Sequence, residues 1–371
     1  MSGTDRILAK HPSEVWVSSF FSKSLRKTRA YQLEMVPDVP VKLDQNENPW
    51  DWDIGLKQKV LAQLARMPWN RYPDPFGVEL KARLAESVGL SSACLCLGPG
   101  SNHLISLVVD AIGHTLSGDV IIARPSFALF EEQCQYSDVN FKVWPLNDQL
   151  EFDVGLLPSL RPGSLVVFAS PNNPTGSHMP LSTFESLLSE NPEVLFFADQ
   201  AYAEFCDDNY LELLSNYSNF LCLRTFSKAM GSAGVRLGYL AGPERLISEI
   251  SKRRLPYLLN HFALAAGMVL LSDAEAQAQI RDRVSLVVQE RQRVWEALSV
   301  RSQASYQVYS SYTNFLLIRW KKSEECLAVH RKLVAAGVLV RNVSRGPGLE
   351  GCLRVSIGTA KENDAFLAAI L

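Results

Sequence analysis

Through its middle, the chain alternates two hydrophobic patterns. Short, almost continuously apolar runs end in polar turns at CLCLGPG (94–100), DVIIARPS (119–126), SLVVFASPNNPTG (164–176), VLFFADQ (194–200) and FLCLRTFSK (220–228). Runs of this length bounded by Gly, Pro and Asn read as buried strands. Helix-length segments separate them. LKQKVLAQLARM (56–67) and VELKARLAESVG (78–89) carry apolar residues at helical spacing. Strands alternating with helices predict an α/β fold, a mostly parallel sheet with crossover helices on both faces. After about Leu255 the pattern changes: residues 261–299 read as long helices, and NFLLIRW (314–320), VLVRNV (338–343) and LRVSIG (353–358) as short strands. The expected organisation is an N-terminal arm (1–40), a large unit (41–255) and a smaller C-terminal α+β unit (256–371). The first forty residues hold Trp16, Phe20, Phe21 and Tyr31 without a core pattern. They are either an arm lying over another surface, such as a partner subunit, or a helix packed on its own unit.

Composition narrows the class. The 371 residues are 47% hydrophobic and 20% charged, with a formal net charge of −2. There is material for a large core and no basic excess for a nucleic-acid footprint. No apolar run reaches spanning length, and the N-terminus lacks the basic-then-apolar pattern of a signal peptide, so the expected location is cytoplasmic. The seven cysteines are scattered. Only Cys94 and Cys96 are close, on one face of a strand with no second pair to complete a metal site. Reduced thiols and no metal are expected.

Ligands of open α/β sheets sit beyond the carboxyl ends of the strands. Gly100, Asn173, Asp199 and Lys228 all fall at or just past such ends. Gly98-Pro99-Gly100 leads from a strand into a helix that Ser101 or Asn102 would cap; the turn is either an anion site at a helix start or a plain structural connection. KLDQNENPW (42–50) reads as a polar loop before a helix, and the prolines of RYPDPFG (71–77) hold Tyr72 in place. The stretch RTFSKAMGSAGVRLGYL (224–240) puts Lys228 on a tight turn and Arg236 eight residues on. A desolvated lysine is a candidate Schiff-base amine, and an arginine holds phosphate in a bidentate pair. An aldehyde cofactor with a pyridine ring and a phosphate would use all of these. Lys228 would hold it and shuttle protons, and Asp199 would pair with the ring nitrogen. Asn173 and Tyr202 would bond the ring oxygen. Arg236, Thr225, Ser227 and the Gly100–Asn102 turn would take the phosphate. Phe127 would stack on the ring or belong to the core.

SPNNPTG, ADQAYAEF, RTFSKAMGSAGVRLGYL and LRVSIGT, in that order, resemble the fold-type I pyridoxal-phosphate aminotransferases. DQNENP, RYPDP and RLPYLLN narrow the resemblance to the histidinol-phosphate aminotransferases, over about 31–359. The resemblance implies pyridoxal 5'-phosphate as cofactor, Lys228 as Schiff-base lysine, Asp199 as pyridinium partner, Asn173 and Tyr202 on the ring oxygen, and Thr225, Ser227, Arg236, Ser101 and Asn102 on the phosphate. It implies a homodimer with shared active sites in which Tyr72 reaches the partner's cofactor phosphate. It places Arg354 and Arg341 on the substrate's acidic group, with Tyr31, Asn46 and Tyr257 in the substrate pocket. Phe127 stands where tyrosine is common, and Gln200 where the family generally has glutamate, which removes a charge near the site.

The function so implied is transamination of L-histidinol phosphate with 2-oxoglutarate to imidazole acetol phosphate and L-glutamate, in histidine biosynthesis. The alternatives are an aminotransferase for aromatic or other amino acids and a decarboxylase of a phosphorylated amino acid. A non-catalytic regulatory module would need a DNA-binding unit, for which the chain has neither spare length nor basic charge.

Overall fold

The computed structural model describes residues 39–300 and 305–370, and before them Trp16, 19–21 and 23–28. Two sheets organise it. The larger has seven strands: β2 (Leu95–Gly98), β3 (Val120–Arg124), β4 (Phe141–Pro145), β5 (Leu165–Ala169), β6 (Leu195–Asp199), β7 (Phe220–Thr225) and β8 (Gly238–Ala241). Their spatial order is β2-β8-β7-β6-β5-β3-β4. β3 to β7 run parallel; β8 is antiparallel to both neighbours. The fold is the expected α/β class, mostly parallel.

From residue 39 on, the α-helices are α1 (Ile54–Ala65), α2 (Val78–Val88), α3 (Ser101–Ile112), α4 (Leu129–Tyr136), α5 (Leu181–Glu190), α6 (Glu244–Ser251), α7 (His261–Ser272), α8 (Ala274–Ser299), α9 (Ser323–Ala335) and α10 (Ala360–Ile370); a five-residue helix, Lys23–Lys27, precedes them. Because side chains alternate along a strand, the central strands feed two cores. Ile121, Val166, Phe168, Phe196 and Cys222 pack with α1, α2, α5 and α7. Ile122, Val167, Phe197, Leu221 and Leu223 pack with α3, α4 and α6 on the other face. Burial on both faces is why these strands read as continuous apolar runs.

The smaller sheet has five strands: β1 (Val41–Leu43), β9 (Tyr306–Val308), β10 (Phe315–Trp320), β11 (Val338–Asn342) and β12 (Cys352–Ser356), in the order β1-β11-β12-β10-β9. It packs on α8, α9 and α10 through Val287, Val294, Leu333 and Phe366. Tyr202, Phe205 and Ala229, from turns of the larger sheet, belong to the same cluster. The KLDQNENPW loop begins as a strand: β1 runs parallel to β11, Val41 opposite Val338. Among the described residues no helix is long and apolar enough to cross a membrane.

Phe184 is wholly buried on α5. Its ring meets Phe168, Phe196, Tyr210 and Phe220 at centroid distances of 5.3, 6.0, 4.5 and 5.5 Å. Phe184→Ala should therefore lower stability by about 3–5 kcal/mol. Urea unfolding checks this, and Phe184→Leu should recover most of the loss.

Candidate active site

Parallel strands end together, so the turns after β2, β3, β5, β6 and β7 converge at one edge of the larger sheet. β12 and the segment after β1 approach from the smaller one. Asp199 closes β6 on the α3 face, by the parity that buries Phe197 there. It is almost wholly buried, and its Oδ1 accepts the Ala201 N–H at 2.9 Å. Burial pushes its carboxyl up to about 7, against the Ala201 bond and the Lys228 charge. Lys228 lies on the turn after β7. Burial, then the Arg354 cation, brings its amine down to about 8. Lys228 Nζ donates to Gln45 O at 3.0 Å and lies 5.9 Å from the centre of the Tyr202 ring. An amine and a carboxyl, both displaced toward neutrality by desolvation, thus flank one site.

The segment after β1 holds this site together. Asn46 Nδ2 donates to Tyr202 Oη at 2.9 Å, and the Asn46 backbone N–H to Ser356 Oγ at 2.8 Å. Asn314 Nδ2 donates to Asn46 O at 3.0 Å. Asn48 Nδ2 reaches the carbonyls of Lys228 and Ala229 at 3.4 and 3.2 Å. Arg354 on β12 gives Nη1 to Asn173 Oδ1 and Nη2 to Asp44 O, both at 2.7 Å. Burial raises the Tyr202 hydroxyl above its usual range, the Arg354 charge and the Asn46 bond opposing it.

At the other end, a Cβ on Gly100 would lie 2.5 Å from Arg236 Nη2, so only glycine lets the guanidinium cover that turn. Gly100 itself is the N-cap of α3, with no side-chain cap. This corrects the expectation that Ser101 or Asn102 caps the helix: both lie within it, and the N–H groups of its first turn stay open to an anion. Thr225 Oγ1 and Ser227 Oγ lie 3.0 Å apart beside it. Phe127 stands edge-on to Phe130 at 5.9 Å. Asn172 ties its loop to the next one, bonding Pro125 O at 2.9 Å and Ser126 Oγ at 2.6 Å.

The remaining expected residues are placed differently. Tyr72 is 79% exposed and stacks on Tyr257, ring centres 4.4 Å apart. Arg341 on β11 stands opposite Arg354 in register. Tyr31 lies outside the described residues. Gln200 is corrected: it points to the other face of the sheet, where Oε1 accepts from Arg224 Nη2 at 2.9 Å. Glu204 supplies the carboxylate there, 3.4 Å from Arg224 Nη1. Glutamine at 200 therefore takes no charge from the Lys228 side. The roles of Asn48, Asn172, Asn314 and Ser356 were not visible in sequence; each acts through contacts remote along the chain. Asn46, Arg236 and Tyr257 share a left-handed backbone, at φ of 54°, 59° and 60°. Such strain in non-glycine residues clusters at functional sites.

The donor set fits a phosphorylated pyridine aldehyde: an amine for the aldehyde, a buried carboxyl for the ring nitrogen, and an open helix start with an arginine for the phosphate. The aminotransferase class I and II family matches residues 38–370. Among curated relatives, the histidinol-phosphate aminotransferase of Chlorobaculum parvum is 34% identical, covering 94% of this chain and 97% of its own. That of Aquifex aeolicus is 35% identical, covering 93% and 96%. A solved histidinol-phosphate aminotransferase of Sinorhizobium meliloti, in complex with pyridoxal-5'-phosphate, superposes with a TM-score of 0.80 at 23% identity, covering 95% and 96%. The chain belongs to the aminotransferase class I and II family and is a pyridoxal-phosphate-dependent aminotransferase.

Proposed function

We propose that this aminotransferase moves the amino group of L-histidinol phosphate to 2-oxoglutarate, giving imidazole acetol phosphate and L-glutamate, in histidine biosynthesis in the cytoplasm. The observation that carries the reading is the pair Arg341 and Arg354, opposite each other on β11 and β12, with Arg354 bonded to Asn173 beside the Lys228 pocket. Two guanidinium groups suit a phosphate dianion better than a single carboxylate. The names of the relatives point the same way.

Bound there, pyridoxal phosphate supplies an aldehyde for the amino group and a protonated ring that draws electrons from the reacting carbon. Lys228 Nζ then carries the proton at that carbon, an exchange suited to an amine poised near 8. Asp199 would pair with the ring nitrogen, and Asn173 and Tyr202 would bond the ring oxygen. Phe127 would stack on the ring. Arg236, Thr225, Ser227 and the Gly100–Asn102 turn would take the phosphate. Asn46 and Tyr257 complete the substrate pocket.

We also read the protein as a homodimer with shared sites. Trp69, Tyr72, Phe76, Val78 and Leu255 are all more than 60% exposed. His261 Nε2 lies 3.2 Å from Arg71 O, joining that loop to the start of α7. An apolar surface of this kind marks an interface. A second copy would cover it and receive Tyr72.

A half-reaction scan tests the substrate. The cofactor-loaded enzyme is mixed with single donors, and loss of the visible cofactor band is followed, with Lys228→Ala as the blank. Histidinol phosphate should convert it fastest and 2-oxoglutarate restore it, while Arg354→Ala should cost about 2–5 kcal/mol in kcat/KM for the phosphorylated donor. Conversion by aromatic amino acids but not by histidinol phosphate would overturn the assignment and leave the aminotransferase intact.

Asp199 makes the cofactor-free protein pH-sensitive. Its folded value near 7 stands above the ordinary 3.8, so the folded state binds the proton more tightly than the unfolded state. Stability is therefore lost as pH rises from about 4 to 7. Asp199→Asn should stabilise the cofactor-free protein by about 1–3 kcal/mol at pH 8 and by nothing measurable at pH 3.5. Thermal unfolding at the two pH values reads this.

Mixing Tyr72→Ala with Lys228→Ala tests the shared site. A mixed dimer holds one site with both residues intact, so about a quarter of wild-type activity should return on random exchange. No recovery, with exchange verified by mass, would show that Tyr72 serves its own chain.

A further inference from the structure

The loop that carries Tyr72 is fastened to the larger sheet by one side chain. Arg254 follows α6, its backbone N–H bonded to Ser251 O at 3.0 Å, and it is half-buried. Its Nε donates to Leu97 O at 3.0 Å and its Nη1 to Pro75 O at 2.6 Å. Leu97 stands on β2 just before the Gly98-Pro99-Gly100 turn, and Pro75 lies three residues after Tyr72. One guanidinium thus joins the turn at the start of α3 to the 71–77 loop.

The loop transmits that anchorage to Tyr72. β2 is the outermost strand of the larger sheet, so no further strand is there to hold the loop. Gly77 packs so closely that a Cβ on it would lie 3.0 Å from Leu97 Cδ1. Asp74 Oδ1 accepts the Phe76 N–H at 2.9 Å, and Oδ2 the Val78 N–H at 2.6 Å, which ties the loop to the first turn of α2. Pro73 and Pro75 restrict the backbone between Tyr72 and these bonds. The contacts on the Tyr72 side, to Tyr257 and from Arg71 O to His261, lie at the surface. The Arg254 bond to β2, in contrast, ends on Leu97, which is 2% exposed.

We propose that Arg254 is a positioning residue for the partner's cofactor: it sets the 71–77 loop on the end of β2 so that Tyr72 meets the phosphate bound by a second copy of this chain. The proposal rests on the shared-site reading above. Two carbonyls at a fixed spacing call for the planar fork of arginine, and lysine keeps the charge without that geometry. Because the same fork grips the strand that leads into this chain's own phosphate turn, it also registers the two phosphate sites of the dimer against each other.

The test reads cofactor retention in a mixed dimer. Two differently tagged chains are coexpressed, loaded with pyridoxal 5'-phosphate and purified through both tags. One chain carries Lys228→Ala, so the visible cofactor band that needs Lys228 reports on the other, wild-type chain alone. That site keeps its own Arg254 and takes Tyr72 from the altered chain. Adding Arg254→Met to the Lys228→Ala chain should make the band fade about tenfold faster on dilution into cofactor-free buffer, with the dimer mass unchanged. An arginine that served only its own chain would loosen the site that the band does not see. Arg254→Lys should show a similar loss and serves in place of the methionine variant should that misfold. Tyr72→Ala on the same chain is the reference, and Arg254→Met should add nothing once Tyr72 is gone. If Tyr72→Ala speeds the loss and neither Arg254 variant does, or if the two effects add in full, the proposal is overturned and the shared site stands. If Tyr72→Ala changes nothing, the shared-site reading fails and takes the proposal with it.

Discussion

A polar segment buried between two sheets must find a partner for the groups it brings, because each one left bare costs about as much as a lost hydrogen bond. Asp44 to Asn48 meets that demand by bonding to residues of the candidate site. Asp44 O takes Arg354, Gln45 O takes Lys228, Asn46 takes Tyr202 and Ser356, and Asn48 takes the backbone of Lys228 and Ala229. The segment can lie there only because β1 anchors it on β11 of the smaller sheet. Lys228 and Tyr202 come from the larger sheet and Arg354 from the smaller. One five-residue stretch therefore sets how the two sheets present their side chains to each other.

The alternation of strand side chains divides the labour on either side of that stretch. Asp199 and Thr225 share one face, toward α3. Gln200 and Arg224 share the other, where Arg224 also bonds Asn209 at 2.7 Å. A one-residue shift in β6 would exchange the two sets. The pairing of β6 with β5 and β7 excludes that shift, with Asp199 opposite both Ala169 and Leu223. The chemistry of the site is thus fixed by strand register, and the Arg224 network braces it from behind.

Much of this was legible along the chain. The apolar runs marked β2, β3, β5, β6 and β7 but not β4, and their polar ends marked the edge at which Gly100, Asn173, Asp199 and Lys228 lie. What escaped was short or paired across long distances. β1, with three residues, carries no periodicity of its own. β8 was hidden because it follows β7 with no α-helix between them and returns antiparallel. Gln200 was misjudged because composition records a lost charge and not the face on which it is lost. The open start of α3 was misjudged for a related reason. Ser101 and Asn102 have capping side chains, but the backbone of Gly100, at φ 85°, starts the helix one residue earlier.

The electrostatics of the pocket follow from the same burial. Desolvation moves the Lys228 amine down and the Asp199 carboxyl up, to about 8 and about 7. Two groups whose ordinary values differ by more than six units are brought almost level. Neither shift needs a neighbour of unusual chemistry. Asp199 closes a strand buried on both faces, and Lys228 lies under a segment whose Gln45 carbonyl accepts its hydrogen bond. Transamination needs an amine that both takes and returns a proton near neutral pH, and a carboxylate that keeps a ring nitrogen protonated. A pocket dry enough to lower the lysine would also strengthen the proposed pairing of Asp199 with a cationic ring. The packing that makes the fold cohere is thus the packing that tunes both groups.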